Sequence, residues 1–271
     1  VLVARTSNIP EMPKILIAGA GIGGLTAALA LLKEGIDVSV FEQASELGEI
    51  GAGFQMSANG TRVLSKLGLA EAMESIAWQP DGKEIRIWNT GQTWKLFDLG
   101  AESVERYGFP YLMFHRADLH RLLVDAVRAE KPDAIHLGSF CTRCDQNKDE
   151  VLLHFANKEN AVGSALIGAD GTHSKIRQSL YGAENKEFSG LIAWRGIIDV
   201  NDLPDRTLRS VGTNWVGPGG HVVHYCVRNG ELLNFVGIKE RSDWKVESWT
   251  ARGTREECLA DFRGWHDIIQ T

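Results

Sequence analysis

The stretch Gly19-Ala20-Gly21-Ile22-Gly23-Gly24 puts glycine at the first, third and sixth positions, directly after the apolar run "KILIA". That spacing suits the pyrophosphate of a dinucleotide. Gly19 permits a tight turn, Gly21 lets the backbone approach the phosphates, and Gly24 lets helix and strand pack closely. A helix starting there offers unpaired N–H groups and positive partial charge to an anion. Glu42 closes the next apolar run, "DVSVFE", near the ~20-residue offset expected of an acid that binds ribose hydroxyls. A glutamate with no compensating arginine beside it suits a nucleotide without a 2′-phosphate, and FAD and NAD both meet that description.

A second corner of similar build lies in "ALIGADGTHSKIR", residues 165–177. Here a buried strand runs into Gly168, Asp170 and Gly171, and Ser174 is placed to cap a following helix. Asp170 could accept hydrogen bonds from cofactor hydroxyls. An Asp-Gly turn after a strand accounts equally well for the residues taken alone.

The elements that must hold these corners follow from periodicity. A strand over 14–19, a helix over 24–34 and a strand over 37–42 spell the β-α-β opening of a doubly wound sheet. The residues 58–73 read as one further helix and 115–129 as another. "EIRIWNTGQTWKLFDL" alternates around Asn89–Gln92, as a hairpin does. From Ser189 onward the spelling is antiparallel sheet, with "LIAWRGIIDV" as one strand and "HVVHYCVRNGELLNFVGI" as a hairpin turning at Asn229-Gly230. The fold class is therefore α/β: a doubly wound, Rossmann-like dinucleotide domain with a β-rich antiparallel-sheet domain.

Totals exclude several classes of function. The 271 residues carry a formal charge of −6, which argues against a nucleic-acid binder. No apolar run approaches the ~18 residues that a membrane helix needs. Residues 1–13 read as a leader or tag, with Met12 as the natural start. Cys141 and Cys144 form a C-x-x-C, but no second ligand pair stands at zinc spacing and the thioredoxin context is lacking, so reduced thiols beside a turn are expected. The histidines show no metal-binding spacing, and a cytoplasmic location is expected.

Taken in order, "GAGIGGL" with Glu42, "HRADLH" and "GADGTHSKIR" resemble the FAD-dependent aromatic hydroxylases, the single-component flavin monooxygenases. "SGLIAWRG" and "GHVVHYCVRNGELLN" are most similar to the salicylate hydroxylase branch. The resemblance runs from Lys14 to the end. It implies that Gly19, Gly21 and Gly24 hold the FAD pyrophosphate, Glu42 the adenosine ribose, and that Arg116 lies against FAD. Asp170 and Gly171 would serve both FAD and a passing NADH or NADPH. It also implies that reduced flavin captures O2 as a C4a-hydroperoxide, which hydroxylates a small phenolic acid such as salicylate.

Side-chain alternation puts His221, Val223 and Tyr225 on one face of their strand, with His224 and Cys226 on the other. The resemblance matches His221 to an active-site histidine and Tyr225 to a substrate-contacting tyrosine. An imidazole can accept a phenolic proton at neutral pH. Gln55 matches a position near substrate and flavin. Arg195 either meets a substrate carboxylate or caps the sheet face. The expected domains are 14–76 with 106–182 for FAD, and 77–105 with 183–271 for substrate; a homodimer is left open.

The family pattern continues into a "GD" segment and further helices that this sequence does not contain, so the C-terminal part of the fold is expected to be missing and FAD to be held weakly. Two other readings stay open: a non-catalytic FAD-binding module, and another flavoprotein oxidoreductase such as an alkene epoxidase.

Overall fold

The computed structural model describes residues 13–48, 52–183, 187–204, 209–242 and 251–271. The expected leader lies, but for Pro13, outside them. The chain divides into two compact units, Val1–Gly48 with His120–Asn185, and Glu49–Leu119 with Lys186–Thr271.

The chain opens with β1 (Lys14–Ala18), α1 (Ile22–Lys33) and β2 (Asp37–Phe41). It continues through β3 (Gly53–Met56), α2 (Ala58–Lys66), α3 (Ala70–Ile76), β4 (Ala77–Trp78), β5 (Gly82–Ile87), β6 (Thr93–Asp98), α4 (Ala101–Tyr107) and β7 (Leu112–His115). The helix α5 (Arg116–Glu130) leads to β8 (Ile135–His136), β9 (Cys141–Gln146), β10 (Val151–Phe155), β11 (Ala161–Gly163), β12 (Ala165–Gly168) and α6 (Lys175–Tyr181). The last elements are β13 (Leu191–Asp199), β14 (Val211–Gly217), β15 (Gly220–Val227), β16 (Leu232–Glu240), α7 (Arg255–Asp261) and α8 (Asp267–Gln270).

In the first unit a parallel sheet runs β12-β1-β2-β8, and an antiparallel sheet runs β11-β10-β9. Leu16, Ala18 and Phe41 pack with Leu153, Phe155 and Ile176 in one core. A strand buried on both faces needs such a near-continuous apolar run, which is why "KILIA" has no polar interior residue. Cys141 and Cys144 lie within β9 itself rather than beside a turn, and both pack against this core. Burial pushes the Cys141 thiol up to about 11 and raises that of Cys144, so neither is poised as a thiolate.

In the second unit a six-stranded sheet runs β13-β16-β15-β14-β5-β6, and a smaller one runs β3-β7-β4. The hairpins β5–β6 and β15–β16 form where alternation places them. At the tip of the second, Arg228, Asn229 and Gly230 take φ values of 50°, 52° and 95°. Two expectations are corrected. The single helix over 58–73 is two, because Gly68 takes φ +82° and turns the chain between α2 and α3. The sheet after Ser189 is not wholly antiparallel, because β14 runs parallel to β5. Among the described residues no helix is long and apolar enough to cross a membrane.

Candidate functional site

Both glycine corners sit in the first unit, on neighbouring strands. β1 and β12 run parallel with Ala18 opposite Gly168, so the turns that leave them start side by side. The Gly19 N–H donates to the Phe41 carbonyl and the Ala169 N–H to the Ala18 carbonyl, each at 2.8 Å. Gly19 takes φ +101°, and a Cβ built on it would stand 2.7 Å from the Ala169 carbonyl carbon and 3.1 Å from the Asp170 Cα. A Cβ on Gly24 would overlap the Gly19 carbonyl and lie 3.3 Å from the Ala169 Cβ. The glycines at 19 and 24 are thus required by the protein's own packing.

Gly21 and Gly23 differ. A Cβ on either would meet nothing within 4 Å among the described residues. Gly21 is the N-cap of α1, a helix of 12 residues, and no side chain caps it. The N–H groups of a first turn have no partner within the helix. Open space in front of uncapped N–H donors fits a pyrophosphate.

The acid completes the cradle. One Glu42 oxygen accepts from the Ala20 N–H at 2.8 Å and the other from the Ala44 N–H at 2.9 Å. Each carboxylate oxygen keeps a further lone pair for a ribose hydroxyl. His120, on α5, was not singled out from the sequence. Its Nε2 lies 2.7 Å from the Ala20 carbonyl oxygen, which can only accept, so Nε2 bears the proton. The loop residue Ala20 is held at its N–H by Glu42 and at its carbonyl by His120. "HRADLH" contained this histidine, but nothing local tied it to a loop 100 residues away.

At the second corner Ser174 caps α6, accepting from the Arg177 N–H at 2.9 Å. Asp170 is engaged in the same cap. It accepts from the Ser174 hydroxyl at 2.6 Å, the Lys175 N–H at 2.6 Å and the Ile176 N–H at 3.2 Å. Its carboxylate therefore stiffens the turn, while Gly171, at φ +77° with open space beside it, leaves the backbone accessible. Arg116 stands at the start of α5, its N–H donating to the Ala52 carbonyl at 2.8 Å.

The remaining candidates, like Arg116, lie in the second unit. The register sets Arg195 opposite Val236, Val236 opposite Val223, and Tyr225 opposite Asn234. Arg195, Asn234, His221, Val223 and Tyr225 thus share one face of the six-stranded sheet. The other face of β15 carries Val222, packed with Trp215, Phe262 and Trp265, and His224. Trp215 donates its indole N–H to His224 Nε2 at 3.0 Å. Burial, and then the Arg86 charge, lower the His224 pKa to about 4.

On the first face Tyr111 donates its hydroxyl to Gln55 Oε1 at 2.8 Å. Burial pushes the Tyr225 hydroxyl up to about 12, against the smaller opposing effect of the neighbouring Gln55 side chain. Tyr111, likewise buried, is raised to about 12. Both phenols stay protonated and present hydroxyls. Gln55 and Tyr225 therefore meet, with Arg195 close enough for its charge to act on Tyr225. His221 shares their face but stands four residues from Tyr225, about 13 Å along the strand. Tyr111 and Asn234 are further residues that sequence reading missed. Asn234 Oδ1 accepts from the Gly53 N–H at 2.6 Å and so fixes the start of β3, two residues before Gln55. Among the described residues no cluster of His, Cys, Asp or Glu could hold a metal ion.

Comparison with known proteins agrees with this architecture. Residues 12–269 match the FAD binding domain family. The 3-amino-4-hydroxybenzoate 2-monooxygenase PtnB3 of Streptomyces platensis is 37% identical over 257 residues, covering 95% of this chain and 64% of that protein. The 6-hydroxynicotinate 3-monooxygenase of Pseudomonas fluorescens is 32% identical over 264 residues, covering 96% of this chain and 67% of that protein. The crystal structure of Klebsiella pneumoniae HpxO complexed with FAD and uric acid superposes with a TM-score of 0.82 at 28% identity, covering 97% of this chain and 66% of that one. The chain thus spans about two thirds of the length of these relatives. With its cradle, its paired corners and a match along nearly its whole length, the chain belongs to the FAD-binding domain family, on the branch that contains the flavin-dependent aromatic hydroxylases.

Proposed function

We propose that this chain is the FAD-holding and substrate-facing part of a monooxygenase that inserts one atom of O2 into a small aromatic acid, with NADH or NADPH as reductant. The overall balance is aromatic C–H, O2, NAD(P)H and a proton going to C–OH, water and NAD(P)+. The observation that supports this most is the side-by-side placement of the Gly19 and Asp170 corners, which lets both serve a single dinucleotide. The names of the two monooxygenase relatives describe hydroxylated aromatic acids, and this is the substrate class assigned here; salicylate is one member of it.

FAD, when bound, supplies the electron storage and oxygen activation that no side chain offers. The protein's own residues bind, orient and move protons. The first-turn N–H groups at Gly21 to Gly24 bind the pyrophosphate, and Glu42 accepts from ribose hydroxyls. Arg116 lies beside the cofactor, and the backbone at Asp170-Gly171 serves cofactor and passing nicotinamide. Tyr225 and Gln55 orient the aromatic substrate by its polar substituents, and Arg195 adds positive potential beside Tyr225. His221 takes the proton of the substrate's phenol, which raises electron density on the ring. A supply of reduced nicotinamide fits a cytoplasmic location.

The test is to load the protein with FAD and follow NADH oxidation on adding salicylate, 3-hydroxybenzoate, 6-hydroxynicotinate or 3-amino-4-hydroxybenzoate under isotopically labelled O2. Stimulated oxidation with label in a hydroxylated product supports the proposal. Oxidation that yields only hydrogen peroxide with every acid refutes it.

A further inference from the structure

Lys83 lies on the same sheet face as Tyr225. Thr213 is paired with His224, on the opposite face, so its neighbour Gly212 faces Tyr225's side, and Lys83 is the register partner of Gly212. Gly212 leaves room there. A Cβ on it would fall 2.9 Å from Met113 Cε and 3.6 Å from Lys83 Cγ. The lysine stem runs through that gap, and its ammonium stands 4.9 Å from the centre of the Tyr111 ring. Tyr111 is the phenol that holds Gln55.

Lys83 is half-buried, and among the described residues no carboxylate pairs with it. Its neighbour Glu84, on the other face, is held by Arg86 at 2.8 Å, Arg209 at 2.8 Å and the Thr213 hydroxyl at 2.9 Å. One face thus gathers two cations around its acid, while the other keeps a cation set over a π face. Withdrawing an ammonium from water without a counter-ion is unfavourable, and burial lowers its pKa accordingly. An arriving anion would offset that cost.

The surroundings specify the anion. Met113, Tyr225 and Val227 form a small apolar core with Trp78, Tyr111 and Val223 packed against it, so an aromatic ring would meet an apolar wall there. Tyr111 and Tyr225 offer hydroxyl groups. Resting on the function proposed above, we propose that Lys83 is the specificity-determining counter-ion of the substrate's carboxylate, selecting aromatic acids over neutral phenols.

The probes are 3-hydroxybenzoate and its neutral analogue 3-hydroxybenzamide, titrated into the FAD-loaded protein, with dissociation constants measured by calorimetry. Lys83→Met weakens the benzoate by roughly tenfold or more and the benzamide by less than about twofold, while Lys83→Arg keeps the benzoate within about threefold. Lys83→Gln gives the same comparison should the methionine variant not fold. Equal weakening of both probes overturns the proposal, since Lys83 would then only pack, and so does an unchanged benzoate affinity. Wild-type protein that binds neither probe, nor salicylate, 6-hydroxynicotinate or 3-amino-4-hydroxybenzoate, overturns the parent function together with it. Wild-type protein that binds the benzoate, with no change in the variants, overturns the Lys83 assignment alone.

Discussion

Gly19 and Ala169, 150 positions apart in the sequence, face each other so closely that a Cβ on the glycine would stand 2.7 Å from the carbonyl carbon of the alanine. This contact locks the first glycine corner against the second. Gly19 also takes φ +101°, so Gly19→Ala adds backbone strain to a steric overlap. It should lower stability by at least about 2 kcal/mol, read as a shift of the urea midpoint. Gly21→Ala meets neither obstacle, with φ −72° and open space beside it. Gly21→Ala should stay within about 1 kcal/mol of wild type yet lose roughly tenfold or more in FAD affinity, because the methyl group enters the phosphate approach. Equal stability losses in the two variants would show that position 21 is structural too.

Glu42 makes a second separation of roles testable. Its two oxygens accept from Ala20 and Ala44, so glutamine in its place keeps one acceptor and loses the other. Glu42→Gln should weaken FAD by about tenfold and Glu42→Ala by more, at about 1–2 kcal/mol per lost charge-assisted bond. Fluorescence titration of FAD reads both variants. Affinity unchanged in Glu42→Ala would remove the acid from the cofactor site.

Local grammar made the first unit legible. A buried strand, a glycine turn and a helix start within a dozen residues can be read in sequence order, and so can the alternating faces of β15. Contacts between remote residues could not be read that way. The Tyr111–Gln55 bond spans 56 positions, and the Glu84–Thr213 bond, beside the parallel β14–β5 pairing, spans 129. Nothing local records either one. Helical spelling continues through Gly68, since glycine is tolerated inside helices at a cost of ~1 kcal/mol, and only the positive φ there reveals the break. β14, "VGTNWVG", escaped notice because glycine, threonine and asparagine dilute its alternation.

His224 predicts how stability varies with pH. Folded, it titrates near about 4, well below the ordinary 6.5; Trp215 donates to its Nε2, so the neutral ring carries its proton on Nδ1. As pH falls below 6.5 the unfolded chain takes up a proton that the folded chain refuses, and stability drops until pH reaches about 4. The contribution is fully present above pH 6.5 and amounts to about 3 kcal/mol at most. His224→Gln keeps an acceptor for Trp215 and removes the titration. Urea unfolding at pH 7.5, 6 and 5 should therefore give a flatter dependence in the variant. Parallel curves would place the proton uptake elsewhere.

Asn234 and Gly53 predict an energetic coupling that bears on Gln55. The asparagine oxygen holds the Gly53 N–H, while its amide nitrogen is buried without a partner among the described residues. A Cβ on Gly53 would press to 2.7 Å from that nitrogen. Gly53→Ala should cost about 1–3 kcal/mol by overpacking, and Asn234→Ala about 1–3 kcal/mol by leaving the N–H unpaired. In the double variant the methyl group occupies space the asparagine has vacated, so the combined loss should fall short of the sum by about 1 kcal/mol or more. β3 would then lose its anchor two residues before Gln55, and substrate should bind more weakly in Asn234→Ala without a matching loss of FAD. Strict additivity in urea unfolding would mean that the two side chains do not share this space, and that the start of β3 is held by something other than Asn234.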